Sequence, residues 1–258
     1  MTLRLEKHRA AVVGAGGAIG SAVCRAYAEA GAAVVAFDLD VPAAGAAVAR
    51  LPGEGHSSVG IDVTDPLSVE DAVGYAWAVG PVDSVVYCAG ITFTADVTAT
   101  DWELYRALMA VNLDGAFYVG ASFARRMREA SVHGSFAFVS STAGLRGEAG
   151  ASAYCASKFG LIGLVESFAA ELSASGIRVN AICPGNVDSP LLRAVARDFA
   201  AREKVTADEM LERFAHAGAA RRLVVPEEVA GVAVWLASPL ATGVTGEAVR
   251  VDAGQLVG

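Results

Sequence analysis

Cysteine and histidine are scarce in this chain, at four residues each among 258. Cys24, Cys88, Cys155 and Cys183 show no Cys-x-x-Cys spacing, and His8, His56, His133 and His216 lie far apart. No metal cluster is predicted from them. Reduced, mostly buried thiols in a cytoplasmic protein are the expectation instead. Positive charge is outweighed as well: the formal net charge is −8, and no basic stripe is present. Nucleic acid and anionic membrane surfaces are therefore not predicted partners, and solubility accounts for the charge. No stretch approaches the roughly 20 apolar residues that span a bilayer. A signal peptide is not predicted either. Residues 1–9 are polar and charged, and the first apolar run, Ala10–Val13, is too short for its hydrophobic region.

The chain does have abundant apolar surface, at 54% hydrophobic residues, with Ala and Gly prominent. Its length fits one large α/β domain over 1–258. Ala10–Val13, Ala33–Phe37, Ser84–Tyr87, Phe136–Val139 and Val179–Ile182 are short apolar runs without strict alternation. That pattern suits strands buried on both faces. Helical stretches lie between them at about 18–30, 66–78, 101–129 and 152–175. The β-α-β-α order predicts a doubly wound parallel sheet of Rossmann type, in three α/β/α layers, with ligands bound at the carboxyl ends of the strands. There is no internal repeat or linker. Segment 188–222, rich in Ala, Arg and Glu after the Pro184–Pro190 turn, reads as a helical lid over a substrate.

The first strand runs into Gly14-Ala15-Gly16-Gly17-Ala18-Ile19-Gly20, and a helix follows. Such a turn lets the backbone approach a pyrophosphate and points free N–H groups of the helix start at the anion. A tight βα turn without a ligand would look the same in isolation; its place between first strand and first helix favours a cofactor. The second strand ends at Asp38, where a carboxylate can bond both ribose hydroxyls and repel a 2′-phosphate. Leu39 follows, and the glycine turn carries no basic residue. NAD is therefore predicted over NADP. Asp40 competes with Asp38 for this role. Asp62 and Val63, at the end of the third strand-like run, are placed against the adenine.

Tyr154 and Lys158, at the start of a strongly helical stretch, share one helix face. An ammonium near a phenol lowers a pKa that begins near 10, and a fall of about three units needs roughly 4 kcal/mol. A tyrosine so tuned can take a proton from an alcohol or give one to a ketone. With six Tyr and three Lys in the chain, the Tyr-x-x-x-Lys spacing arises by chance on the order of one time in fifteen, so its setting has to carry it.

That setting resembles the short-chain dehydrogenases/reductases, in their short single-domain branch, over nearly the whole chain. Gly14 to Gly20 is similar to the family's Gly-x-x-x-Gly-x-Gly motif. Cys88-Ala89-Gly90 is similar to the end of its Asn-Asn-Ala-Gly motif. Asn112 matches a helix asparagine, and Ser141 lies thirteen residues before Tyr154, as the family's serine does. Pro184-Gly185 and Val251-Asp252-Ala253-Gly254 match later landmarks. The resemblance implies that Tyr154 is the acid/base, that Lys158 lowers its pKa and holds the nicotinamide ribose, and that Ser141 orients the substrate oxygen. It implies further that Asn112 keeps a water in a proton relay and that Val187 meets the nicotinamide carboxamide through its backbone. Gly16, Gly17, Ala18, Ile19, Pro184, Gly185 and Ser189 complete the implied cofactor contacts, and a homotetramer or homodimer is the implied assembly.

The chain also departs from the pattern. Val13 stands where Thr is common, Ala18 and Ala253 replace glycines, and Tyr87-Cys88 replaces Asn-Asn, which removes a side-chain bond supporting the central strands. Ser141, Ala143, Arg146, Asn186, Leu191 and Leu192 are the substrate candidates, joined by Thr92, Phe93, Thr94 and Glu148. Arg146 or Arg193 could grip an anion. The His and Lys that hold a carboxylate in 3-hydroxybutyrate enzymes fall at Ala143 and Ala151, which argues against that substrate. A small to medium secondary alcohol or ketone is expected, with cyclic alcohols, diols and polyols in range. A non-catalytic NAD-binding scaffold or sensor is the alternative, and the intact acid/base set speaks against it. A nucleotide-sugar epimerase ranks last, for want of a long C-terminal substrate domain.

Overall fold

The computed structural model describes residues 3–257. Its centre is a seven-stranded parallel sheet: β1 (Arg9–Val13), β2 (Ala33–Asp38), β3 (Ser57–Gly60), β4 (Ser84–Tyr87), β5 (Gly134–Val139), β6 (Ile177–Pro184) and β7 (Ala248–Val251). The spatial order is β3-β2-β1-β4-β5-β6-β7. The order reverses between β1 and β4, and a doubly wound sheet opens its ligand crevice at that switch point. Val13 is in register with Phe37 on one side and Tyr87 on the other. Gly14, Asp38 and Cys88 therefore leave the sheet at one level.

β1 and β4 are fully buried apart from Arg9, which explains why neither alternates. Two apolar cores flank the sheet. One packs α3 (Pro66–Val79), α5 (Gly115–Glu129) and α6 (Ser152–Leu172) around Phe123, Phe136 and Phe138. The other packs α1 (Ala18–Glu29) and α9 (Pro226–Ala237) around Val12, Tyr27 and Val234. The buried Tyr27 hydroxyl is satisfied by Ser84 Oγ at 3.0 Å and the Ala233 carbonyl at 3.1 Å.

The predicted third strand ends early, at Gly60, and Asp62 sits in the turn beyond it. The region 101–129 is helical nearly throughout but not uniformly α. α4 (Trp102–Met109) passes into α5 through a π-turn over Ala110–Asp114. By length and composition this 28-residue stretch is apolar enough to cross a membrane, contrary to the sequence expectation. Half of its most apolar window is buried within the fold, where it serves as a core helix. Three elements went unpredicted: α2 (Val41–Val48), α9 and β7. α2 and α9 are built largely from Ala, Val and Gly, which leave little polar–apolar contrast for a helical period to show.

The lid consists of α7 (Pro190–Glu203) and α8 (Ala207–His216). Ser189 caps α7 with Pro190 at its first position, and a Thr206/Glu209 capping box starts α8. The two helices share a small core of Ala196, Ala200 and Met210, with Phe199 and Phe214 in an edge-to-face contact at 6.0 Å.

Candidate active site

One cavity opens at the carboxyl end of the sheet. Its floor and walls bring together Ser141, Tyr154 and Lys158 with Ile19, Cys88 and Gly90. Pro184, Gly185, Val187 and Ser189 after β6 close one side. Ala143, Asn186, Leu191 and Leu192 line it too, as do Thr92, Thr94 and Glu148. Arg146 does not: it is exposed on the loop after β5 and contributes nothing to the cavity wall. Arg193 is absent from the wall as well and pairs with Asp188 at 2.6 Å. Neither arginine supplies the anion grip considered from sequence, because both side chains remain with solvent or a surface partner. Phe93 lines a neighbouring, more open cavity.

Tyr154 and Lys158 sit one turn apart on α6, as their spacing requires. Lys158 is 4% exposed, and its Nζ donates to the Val139 carbonyl at 2.9 Å. It stands 5.6 Å from the Tyr154 ring centroid. The net shift of the phenol is upward, against the lowering expected from sequence. Burial pushes Tyr154 up to about 12; the neighbouring Ser141 side chain offsets part of the rise, and the nearby Glu148 charge adds to it. Burial also draws Lys158 down to about 8. Cys88 and Cys183 are both held above the ordinary thiol range by burial, so they stay neutral.

Asn112 is fully buried in the π-turn. Its Oδ1 accepts from the Ile91 N–H at 2.8 Å, and its Nδ2 donates to the Ile91 carbonyl at 3.0 Å and to Ser157 Oγ at 3.1 Å. Both amide protons are thus committed within the fold, which leaves the carbonyl oxygens of Asn112 to hold a relay water. The side chain clamps the loop after β4 to α6. The sequence signal missed Tyr87. Its hydroxyl donates to the Val111 carbonyl at 2.5 Å, one residue before Asn112. A π-turn shifts the helical hydrogen-bond register by one residue, and Tyr87 braces that shift from the sheet. The bond expected to be lost with the Asn-Asn pair is therefore replaced by one directed at the helix. Gly115 makes room for it, since a Cβ there would lie 2.7 Å from the Tyr87 oxygen.

The residues fit a nicotinamide dinucleotide. Gly14 has φ +82°, and a Cβ on it would lie 2.6 Å from the Ala89 nitrogen. The turn therefore packs against Ala89 as only glycine allows. Helix α1 begins at Ala18 behind Gly17 with no side-chain cap, leaving its first N–H groups to an anion. The Ala18 methyl is half-buried at that first helical position. Asp38 Oδ2 accepts from the Gly16 N–H at 2.8 Å and Oδ1 from the Asp40 N–H at 3.0 Å, which fixes the carboxylate beside the turn. Asp40, the competitor, is spent as the α2 cap through Ala43. Leu39 is 73% exposed next to it. Asp62 binds Thr64 through its carboxylate, and Val63 is buried against Gly115. At the other end, Val187 forms a parallel bridge with Val224. Asn186 and Asp188 make its two hydrogen bonds, both 2.9 Å, so the N–H and C=O of Val187 itself face away from Val224. The Asn186 amide donates to the Phe214 carbonyl on the lid at 3.0 Å. Ser189 Oγ accepts from the Leu192 N–H at 3.2 Å and keeps its proton to donate. Among the described residues no group of side chains could hold a metal.

Residues 14–255 match the family model described as enoyl-(acyl carrier protein) reductase. Galactitol 2-dehydrogenase (L-tagatose-forming) of Cereibacter sphaeroides is 36% identical over 98% of this chain and 97% of that protein. Human (3R)-3-hydroxyacyl-CoA dehydrogenase is 35% identical over 97% of this chain and 96% of that protein. The solved structure of Thermoplasma acidophilum aldohexose dehydrogenase superposes with a TM-score of 0.87 at 26% identity, covering 99% of this chain and 96% of that one. The chain belongs to the short-chain dehydrogenase/reductase family, oxidoreductases that use a nicotinamide cofactor and act on CH–OH groups.

Proposed function

We propose that this protein transfers a hydride between NAD(H) and the carbinol or carbonyl carbon of a small to medium secondary alcohol or ketone, with Tyr154 as general acid/base. The observation that carries this reading is the convergence of Tyr154, Ser141 and Lys158 on the cavity that Val187 and Gly90 also line. When bound, the nicotinamide supplies the hydride acceptor or donor and, oxidised, a positive charge. In alcohol oxidation, Tyr154 Oη takes the hydroxyl proton as the carbinol hydrogen leaves as hydride and the C=O bond forms. In ketone reduction, the same oxygen returns the proton. Ser141 holds the substrate oxygen beside the phenol, and the buried Lys158 ammonium favours the phenolate electrostatically.

NAD, rather than NADP, is supported by the Asp38 carboxylate fixed beside Gly16, where a 2′-phosphate would meet a negative charge. The four free cysteines suit a reducing cytoplasmic setting. Exposed Trp102, Leu104, Phe117 and Phe159 on α4, α5 and α6 support a homo-oligomer, tetrameric or dimeric, that covers exposed apolar side chains of these helices. A panel of alcohols with NAD, read by the absorbance of the reduced nicotinamide, tests the reaction. The absence of turnover across alcohols and ketones with either cofactor would refute it and favour an NAD-binding scaffold.

A further inference from the structure

Two polar side chains in the cavity take no part in the acid/base set. Thr94, in the loop after β4, has its Oγ1 buried without a hydrogen-bond partner. Glu148, in the loop before α6, is exposed at the cavity mouth and lines the same two cavities as Thr94. It forms no ion pair among the described residues. The loops are tied together: the Ala95 N–H donates to the Gly150 carbonyl at 2.9 Å. Arg202 on the lid helix α7 donates to the Thr94 carbonyl, and its guanidinium lies 6.0 Å from the Phe199 ring centroid. The cavity also presents Leu191, Leu192, Val195 and Phe199.

A buried hydroxyl without a partner costs free energy, and a carboxylate at the rim of an apolar pocket loses hydration when a ligand covers it. Both costs are relieved by a ligand that gives a proton to one and accepts a proton from the other. A hydroxyl group does both. A carboxylate or phosphate on the substrate would be repelled by Glu148, and an alkyl chain would leave both groups unsatisfied. We infer that Thr94 and Glu148 form a specificity subsite for a second hydroxyl of the substrate, so that the preferred substrate is a neutral diol or polyol. This rests on the hydride-transfer reading above. Partial desolvation raises the Glu148 pKa, with Arg146 opposing, as a group awaiting a hydrogen-bond donor would show.

The test compares kcat/KM for butan-2-ol, butane-2,3-diol and a hexitol with NAD in the native protein, Thr94→Val and Glu148→Gln. Both substitutions are nearly isosteric, and melting temperature with NAD affinity verifies that each variant folds. The native protein should prefer a hydroxylated substrate, and each variant should lower the ratio of hydroxylated to mono-alcohol kcat/KM by roughly tenfold or more. Glu148→Gln should also remove the loss of that preference at acid pH. Turnover with an unchanged ratio in both variants, or a native preference for butan-2-ol, would overturn the subsite while leaving hydride transfer standing. If no alcohol or ketone reacts at all, the reaction itself fails and the subsite with it.

Discussion

Tyr87→Phe isolates a single hydroxyl. The ring is buried and packs on Phe138 at a centroid distance of 6.1 Å, a contact that the phenyl ring would keep. What disappears is the 2.5 Å bond to the Val111 carbonyl in the π-turn. Losing the donor to a buried carbonyl costs about 1–3 kcal/mol. For a domain of this size, each kcal/mol lowers the melting temperature by roughly 2–4 °C. The expected fall is therefore about 2–12 °C by calorimetry. Asn112 follows Val111 directly and clamps Ile91 and Ser157, so the loosened turn should also lower kcat while NAD affinity is kept. An unchanged melting temperature together with an unchanged kcat would refute the reasoning and reduce Tyr87 to a space-filling residue.

Asp38→Ala should relax discrimination against NADP by roughly tenfold or more in the ratio of dissociation constants; an unchanged ratio would move the determinant elsewhere. Ala253 occupies φ +48°, where L residues are strained, so Ala253→Gly should stabilise the fold by about 1 kcal/mol in urea titrations. A loss of stability would show that its methyl packs better than the backbone strains. Lys158 has a folded pKa of about 8 against an ordinary value of 10.5. Between those values the unfolded chain binds the extra proton, so this group's contribution to stability rises with pH across that window, by about 3 kcal/mol at most. Tyr154, raised to about 12 from 10, opposes it above the ordinary phenol value. Urea unfolding across the mildly alkaline range should show a rise that Lys158→Met abolishes.

The catalytic candidates and the sheet were legible because their signals are local. A glycine turn between strand and helix, a carboxylate at the next strand end, and a Tyr–Lys pair one helical turn apart are each set by neighbouring residues. The structure gathers Ser141, Tyr154 and Lys158 in one cavity and sets Asp38 beside the glycine turn. What was not legible depends on distant partners. The direction of Lys158 is set by the Val139 carbonyl on another element, and the burial that raises the phenol is set by the whole pocket. The consequence of Tyr87 depends on a π-turn in a helix remote in sequence. Sequence position alone puts Arg146 within reach of a substrate, but the loop after β5 leaves it in solvent. Departures from the family pattern also gained meaning from geometry. Ala253 is strained because its position carries a positive φ, whereas Val13 is a fully buried strand residue.

The central claim is that Tyr154 moves the proton. Tyr154→Phe, measured for NAD binding and for turnover of the best alcohol from the panel, tests it most directly. The account predicts that NAD binding survives and that kcat falls by orders of magnitude at every pH. Turnover that persists near the native rate would contradict it.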